Sequence, residues 1–281
     1  MLKIAAHKKY PNRPSSFHLS VSSGKGGVGK TLTTVHLSIL LQNLGRKVLV
    51  IDADMGLSNV DVILGLRPQG TLHEVLEGLV SMDEIILESE SGIHIIPSGS
   101  GIAKMANLNH AQRMMLTDHF KEVIPRYDTV VIDTGAGISS NVLHFASLGE
   151  RRIVVTTPEP HAITDAYALM KVMKENYGSN EFDLVVNQVR SLQEGSKIHL
   201  RLSEVASRFL GAKVNCAGII PYDESVQQSV LSRSFASMDL TRSIGGQAWS
   251  QLANHIEKYR FNNEFTQAGD YFSPRLVELA T

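Results

Sequence analysis

The sequence predicts an α/β protein with a doubly wound, mostly parallel sheet and helices on both faces. Two observations support this fold class. Short runs rich in β-branched residues alternate along the chain with longer segments of helical period. In addition, a glycine-rich segment separates the first of these runs from the first helical segment. This is the order of elements in a nucleotide-binding strand-loop-helix unit.

Seven strands are expected, each an apolar run bounded by polar or turn residues. They cover 17–22, 47–52, 93–97, 127–133, 152–157, 182–187 and 213–220. Helices are expected between them at 30–44, 71–79, 81–88, 109–124, 139–148, 161–177, 196–210 and 224–233. No Pro-, Gly- or Ser-rich linker divides the chain before residue 245, so one folded domain is expected.

Two end segments lie outside this expected domain. Residues 1–14 contain four Lys or Arg residues and two prolines but no acid, which predicts a flexible basic arm. The domain then covers 15–262 and includes a helical stretch after residue 246. Residues 263–281 form a tail, in which Ser273 and Pro274 suit the first turn of a short helix with one apolar side.

A phosphate-binding loop is predicted between the first strand and the first helix. It matches the pattern GxxxxGK[ST] and consists of Gly24, Lys25, Gly26, Gly27, Val28, Gly29, Lys30 and Thr31, with Leu32 next in the helix. The glycines let successive N–H groups face one anion, and the helix adds the positive end of its dipole. Lys30 would neutralise phosphate oxygens and Thr31 would bind Mg²⁺. The chain is therefore expected to be a P-loop NTPase.

Composition excludes several other classes of protein. The chain has 281 residues and a formal net charge of −1. No apolar run approaches the roughly 18 residues of a membrane span, and the basic amino terminus has no apolar stretch of a secretory signal. A cytoplasmic protein is therefore expected. The single cysteine, Cys216, excludes disulfides and cysteine-rich metal sites within one chain, and it is expected to be a small buried residue.

Lys25 makes the loop unusual. The run KGGVGKT resembles the signature-lysine, or deviant Walker A, ATPases of the MinD/ParA superfamily. The resemblance implies that Lys25 reaches across a dimer interface to the phosphates of the partner's nucleotide, as an arginine finger does. ATP hydrolysis would then depend on dimerisation, so the implied enzyme is a slow regulatory ATPase.

Two later segments resemble the switch regions of this family. Asp52 and Asp54 end the second strand in DADMGLSNVD, which implies that Asp52 holds the Mg²⁺ shell and that Asp54 orients or deprotonates the attacking water. Asp133 ends the apolar strand DTVVID and resembles a Walker B aspartate that supports the Mg²⁺ water shell. Two glycines after Asp133 would let this second switch move. The expected catalytic residues are Lys25, Lys30 and Asp54.

Four phrases place the resemblance closest to the FlhG/FleN flagellar-number regulators: DADMGLSNVDVILGL, TPEPHAITDAYALMKVM, VNQVRSLQEG and GIIPYDESVQQSV. It implies an ATP-dependent dimer that associates with the inner membrane face and limits how many flagella are built. The implied partners are a flagellar transcription activator, a flagellar signal-recognition-type GTPase, or both. The basic arm stands where one branch of the family has a DQAxxLR segment, so direct activation of the GTPase through such a segment is in doubt.

The same analogy assigns residues around the nucleotide. Asn187 and the loop of Pro221, Tyr222 and Asp223 would frame the adenine, while Glu159 and Asp165 would lie near the dimer face. An asparagine at a strand end is also a common turn residue, and Asp165 could equally be an acid on the helix surface. Both assignments stay open.

Two other functions share this chemistry. A MinD-type regulator of the division site would end in a basic amphipathic helix, whereas the last 20 residues contain one basic residue, Arg275. A ParA-type DNA-segregation ATPase would need a basic surface, and the net charge of −1 makes DNA an unexpected partner. A basic patch could still exist within that balance.

Overall fold

A computed structural model describes residues 16–56, 59–99, 102–231 and 243–261. The described chain contains eight strands, all in one sheet. Their bounds are β1 (Phe17–Ser23), β2 (Val48–Ala53), β3 (Leu87–Glu88), β4 (His94–Ile96), β5 (Thr129–Ala136), β6 (Arg151–Thr156), β7 (Glu181–Val189) and β8 (Lys213–Pro221). The order across the sheet is β3-β4-β2-β5-β1-β6-β7-β8. Every neighbouring pair is parallel except β3 and β4, which confirms the expected fold class.

Helices connect the strands and cover both faces of the sheet. They are α1 (Lys30–Asn43), α2 (Val60–Ile63), α3 (Leu72–Leu76), α4 (Met82–Ile85), α5 (Ala103–Ala106), α6 (His110–Val123), α7 (Ser140–Ser147), α8 (Pro160–Tyr177), α9 (Leu192–Leu210), α10 (Glu224–Leu231) and α11 (Ile244–Phe261), with a 3₁₀ turn at Ile124–Arg126. Among the described residues, none of these helices is both long enough and apolar enough to cross a bilayer.

Alternate residues of each central strand face two different cores. On β2, Val48 and Val50 pack with α1 and α11, whereas Leu49 and Ile51 pack with α3, α4 and α6. A third cluster lies between α7, α8 and α9 and the outer strands. Central strands buried on both faces read as continuous apolar runs, which is why the sequence located them well.

Helix α11 is fixed at both ends. Near its start, the Gly245 N–H donates to Asp223, 3.0 Å away. Near its end, the Arg46 guanidinium donates to both carboxylate oxygens of Glu257, and Arg260 donates to the Thr129 hydroxyl at 3.1 Å. The helix therefore extends from the carboxyl edge of the sheet, where parallel strands end, to the amino edge, where β5 begins.

Some elements differ from the expectation. The expected helix at 81–88 is shorter, and its last residues form β3, because Leu87 and Glu88 pair with β4. Helices α2 and α5 have four residues each, too few to show a helical period. Helix α9 begins four residues early because Ser191 caps it by accepting from the Glu194 N–H.

The expectation that Cys216 is buried was wrong, because its side chain is exposed. It lies on β8, the edge strand of the sheet, at a position between the buried Val214 and Ala217. The expected basic arm at 1–14 and tail at 263–281 lie outside the described residues. So do Leu57 and Ser58 of the first switch.

Candidate functional site

The glycine-rich loop joins β1 to α1 at the carboxyl edge of the sheet. Gly29 precedes the helix with φ of +86°, a left-handed conformation that favours glycine. A Cβ at this position would lie inside van der Waals contact with the Asn187 amide nitrogen. Both features require glycine here. The loop therefore presents the amino end of a 14-residue helix, which is a favourable place for phosphate.

Neighbouring elements hold the loop from two sides. The Asn187 amide nitrogen, 4% exposed, donates to the Val28 carbonyl at 2.9 Å. On the other side, the backbone of Asp165 in α8 lies so close to Gly24 that a Cβ there would collide with it. The Ser23 hydroxyl donates to the Lys25 carbonyl at 3.0 Å. The loop is thus supported by β7 and α8 as well as by its own strand.

Lys30 and Asp133 form a buried ion pair beneath the loop. The Lys30 ammonium lies 3.1 Å from Asp133 Oδ1, and the two side chains are 7% and 1% exposed. The Thr34 hydroxyl donates to the same oxygen at 2.7 Å. Lys30 and Thr34 are one helical turn apart on α1, so both point to the end of β5. The predicted Lys30 and Asp133 therefore do come together.

Asp52 lies beside Asp133, because their positions pair across β2 and β5. Its side chain is fully buried and accepts from the backbone N–H groups of Asp54 at 3.0 Å, Asn59 at 3.1 Å and Val60 at 3.2 Å. These bonds satisfy a buried carboxylate and fix the residues around the first switch. Asp52 thus also anchors the start of α2, a role that the sequence reasoning did not include.

Asp54 lies at the mouth of the site. The Ser98 hydroxyl donates to its backbone carbonyl at 3.1 Å, and a Cβ on Gly135 would lie 3.4 Å from Asp54 Oδ1. The second switch is tied to the loop, since the Gly137 N–H donates to the Ser23 carbonyl at 2.9 Å. The two switches therefore meet beside the phosphate-binding loop.

Lys25 contacts Glu159, which precedes α8. The ammonium and carboxylate lie 2.5 Å apart, with the side chains 38% and 63% exposed. The hydrogen bond from Lys25 holds the pKa of Glu159 below its usual value. Asp165, the other acid expected near the dimer face, contributes backbone next to Gly24. Lys25 is thus held at the surface, where a second molecule can reach it.

A cleft of about 520 Å³ opens next to the loop, at the ends of β7 and β8. Its lining includes Gln188, Arg190, Leu192, Pro221, Tyr222 and Ile244. Gln188 has a φ of +58°, which turns the chain directly after Asn187. Pro221 and Tyr222 therefore line one cleft with Gln188, the residue that follows Asn187.

Asp223 has hydrogen bonds that the sequence analysis did not include. Its carboxylate accepts from the Ser225 N–H and the Gly245 N–H, both at 3.0 Å. Burial acts to raise the pKa of Asp223, but these bonds and those from neighbouring serine hydroxyls outweigh it and lower the pKa. The carboxylate thus joins the loop after β8 to α11, and the place of this loop beside adenine stays a prediction.

The donor atoms near the loop suit Mg²⁺. The Thr31 hydroxyl and the Asp52 and Asp133 carboxylates are hard oxygen ligands. Within the described part of the chain, no group of three or more His, Cys, Asp or Glu residues is arranged to hold a metal ion. Mg²⁺ commonly keeps several waters and binds through one or two carboxylates and the substrate phosphates, so this small set fits.

Two contacts of the site were missed from the sequence. Thr34 could have been found, because a hydroxyl four residues after Lys30 lies on the same face of a predicted helix. Ser98 gave no such signal. It follows β4 at a loop position and reaches Asp54 only through the fold.

Known proteins are similar to this chain in sequence and in fold. Residues 18–186 match a family model described as an AAA domain. The chain is 36% identical to the antiactivator FleN of Pseudomonas aeruginosa, over 92% of this chain and 93% of that one. It is 34% identical to the flagellum site-determining protein YlxH of Helicobacter pylori, over 88% and 85% of the two chains. The structure of the septum site-determining protein MinD from Pyrococcus horikoshii, complexed with Mg-ADP, has a TM-score of 0.70 and 27% identity, and the match covers 88% of this chain and 98% of that one.

Proposed function

The chain belongs to the MinD/ParA-type family of P-loop ATPases, in the group with FleN and YlxH, and we propose that it is an ATP-dependent dimerising switch that regulates the number and placement of flagella. The observation that carries this proposal is the similarity to FleN over 92% of the chain. It is supported by the place of Lys30, Asp52 and Asp133 together at one edge of the sheet.

ATP is the proposed nucleotide, and its phosphates bind the loop from Gly24 to Thr31. Lys30 leaves Asp133 and contacts the terminal phosphate, which is possible because both partners already lie under the loop, 3.1 Å apart. When bound, Mg²⁺ supplies positive charge that offsets the charge on the phosphates. The Thr31 hydroxyl is its proposed protein ligand, and Asp52 and Asp133 are placed to accept hydrogen bonds from its water shell.

Hydrolysis is proposed to need a second subunit. Lys25 is the exposed cation of the loop, and in the single chain its charge is partly offset by Glu159. In the dimer, Lys25 contacts the phosphates of the partner's nucleotide, and Asp54 orients or deprotonates the attacking water. Turnover is slow in this scheme, because each cycle waits for two subunits to associate.

The base is proposed to occupy the cleft lined by Pro221 and Tyr222. Asn187 directly precedes Gln188 of the cleft, and its amide nitrogen already bonds the Val28 carbonyl of the loop. The amide oxygen of Asn187 is the part of this side chain that is proposed to read the exocyclic amine of adenine.

The proposed partners are a flagellar transcription activator, as the word antiactivator implies for FleN, and a flagellar signal-recognition-type GTPase. The proposed location is the cytoplasm, with ATP-dependent association at the inner membrane surface. DNA is not a proposed partner.

Light scattering after size-exclusion chromatography tests the switch. We expect one chain with ADP and two chains with a non-hydrolysable ATP analogue, and the same mass in both states would contradict the proposal. Cell counts test the biological role. A deletion strain should carry altered numbers of flagella, restored by the wild-type gene but not by Lys25→Ala. Normal flagella with misplaced division septa would instead indicate a MinD-type role.

A further inference from the structure

The Asp133 carboxylate has an unusual pair of donors on one oxygen. Oδ1 accepts from the Lys30 ammonium at 3.1 Å and from the Thr34 hydroxyl at 2.7 Å. All three side chains are buried, with Thr34 fully inaccessible and Asp133 1% exposed. A buried carboxylate depends on such partners, because each lost hydrogen bond leaves charge that water cannot solvate.

Two other hydroxyls of α1 behave differently. Thr33 donates to the Gly29 carbonyl at 2.9 Å and Ser38 to the Thr34 carbonyl at 2.7 Å. Both are bonds to the backbone one turn earlier, which any buried Ser or Thr in a helix can make. The Thr34 hydroxyl instead donates to a side chain of a different element, Asp133 of strand β5. This bond is not part of the helix, so what it holds in place is the Asp133 carboxylate.

From these contacts we propose that Thr34 is the positioning residue that keeps the Asp133 carboxylate in place once Lys30 has moved to the phosphate. This inference rests on the proposed function, in which Lys30 and Mg²⁺ both act on the nucleotide. When Lys30 leaves, Asp133 Oδ1 loses one of its two observed donors. The Thr34 hydroxyl then fixes the carboxylate so that it faces the Mg²⁺ water shell. Thr34 itself touches neither nucleotide nor metal.

The test compares Thr34→Val, which keeps the shape of the side chain, with Thr34→Ser, which keeps the hydroxyl. Ser38→Ala is the matched control, because it removes a buried hydroxyl of α1 that does not bond Asp133. The dissociation constant of a fluorescent ADP is measured in EDTA and over a Mg²⁺ titration. ADP avoids dimer formation and hydrolysis, and the readout is binding and not turnover.

For Thr34→Val we expect an ADP affinity in EDTA within about twofold of wild type. Mg²⁺ is expected to raise the affinity for ADP, and the Mg²⁺ concentration that gives half of this increase should rise about tenfold in Thr34→Val. A loss of about this size is common when a residue that hydrogen-bonds a metal's ligands is replaced. Thr34→Ser and Ser38→Ala should both titrate like wild type. A threonine with only a packing role would not change the Mg²⁺ titration selectively.

A wild-type Mg²⁺ titration for Thr34→Val, or an equal shift for Ser38→Ala, would overturn the inference. Thermal melting checks folding, and Thr34→Ala repeats the measurement if valine does not fit. If wild-type protein itself gains no affinity from Mg²⁺, then the proposed function fails, and the result is distinct from failure of the Thr34 inference alone.

Discussion

Replacing Gly29 with alanine should strongly destabilise the nucleotide-free protein. Two costs add at this position. A non-glycine residue in the left-handed region costs about 1–2 kcal/mol, and the φ of Gly29 is +86°. The new methyl group also displaces the Asn187 amide from the Val28 carbonyl, and leaving a buried amide unsatisfied costs about 1–3 kcal/mol. The free energy of unfolding should therefore fall by about 2–5 kcal/mol.

Two other glycines separate these costs. Gly45 has a φ of +83°, but no atom beyond its chain neighbours lies within 4 Å of the place that an alanine methyl group would take. Gly45→Ala should therefore have only the cost of the left-handed backbone, about 1–2 kcal/mol of the free energy of unfolding. Gly26 has neither a positive φ nor a neighbour, so Gly26→Ala should change stability by no more than about 0.5 kcal/mol. Urea denaturation without nucleotide gives all three values.

The contact with Asn187 is checked by a double-mutant cycle. Gly29→Ala combined with Asn187→Ala should cost less than the sum of the single changes, because the methyl group then meets no amide. Equal losses for Gly29→Ala and Gly45→Ala, with additive behaviour in the cycle, would refute the reasoning that Asn187 supports the loop.

Three further predictions concern turnover and pH. Asp54→Ala should retain ATP and dimerise, but its turnover should be lower by a factor of about 10² or more. Lys30→Gln should lose nucleotide binding as well as turnover. If Asp54→Ala turned over ATP at the wild-type rate, Asp54 would be excluded as the base. Lys25→Ala should abolish hydrolysis, measured by phosphate release, while a single subunit still binds ATP, measured by equilibrium binding. Full turnover by this variant would contradict the proposal that hydrolysis needs Lys25 of a second subunit. Burial raises the pKa of Glu150 from 4.5 to about 7, so the folded chain holds a proton that the unfolded chain releases, and stability falls as pH rises between these values. Between about pH 5 and pH 8, the free energy of unfolding of the wild-type protein should fall by about 1–3 kcal/mol more than that of Glu150→Gln, as measured by denaturation. The same pH dependence of stability in both proteins would contradict this prediction.

The sequence predicted the sheet well because its central strands are apolar on both faces and each ends at a recognisable polar residue. The family resemblance also implied that the loop, Asp52 and Asp133 would act together, and they do meet because carboxyl ends of parallel strands share one edge. The start of α9 was missed since Gly195 interrupts the helical pattern, although Ser191 caps the helix earlier.

Contacts between distant segments could not be predicted in the same way. Asp223 stands in a loop that suggests a ligand, but its partner Gly245 on α11 is 22 residues away. Asp52 likewise accepts N–H groups of Asn59 and Val60, at the start of α2. Pattern fixes which face of a strand or helix a residue occupies, but the competing partners of a polar side chain are known only once the chain has folded.

The two ends of the described chain lie close together. Phe17 donates its N–H to the Asp128 carbonyl at 3.0 Å, and Arg260 lies 3.6 Å from the Asp128 carboxylate. A short peptide could therefore join residue 261 to residue 16, and new termini could be opened in a surface loop to give a circular permutant. Helix α11 has 18 residues and is about 27 Å long. Anything fused at residue 16 or residue 261 would thus be attached on the far side of the domain from the glycine-rich loop, with both attachments side by side.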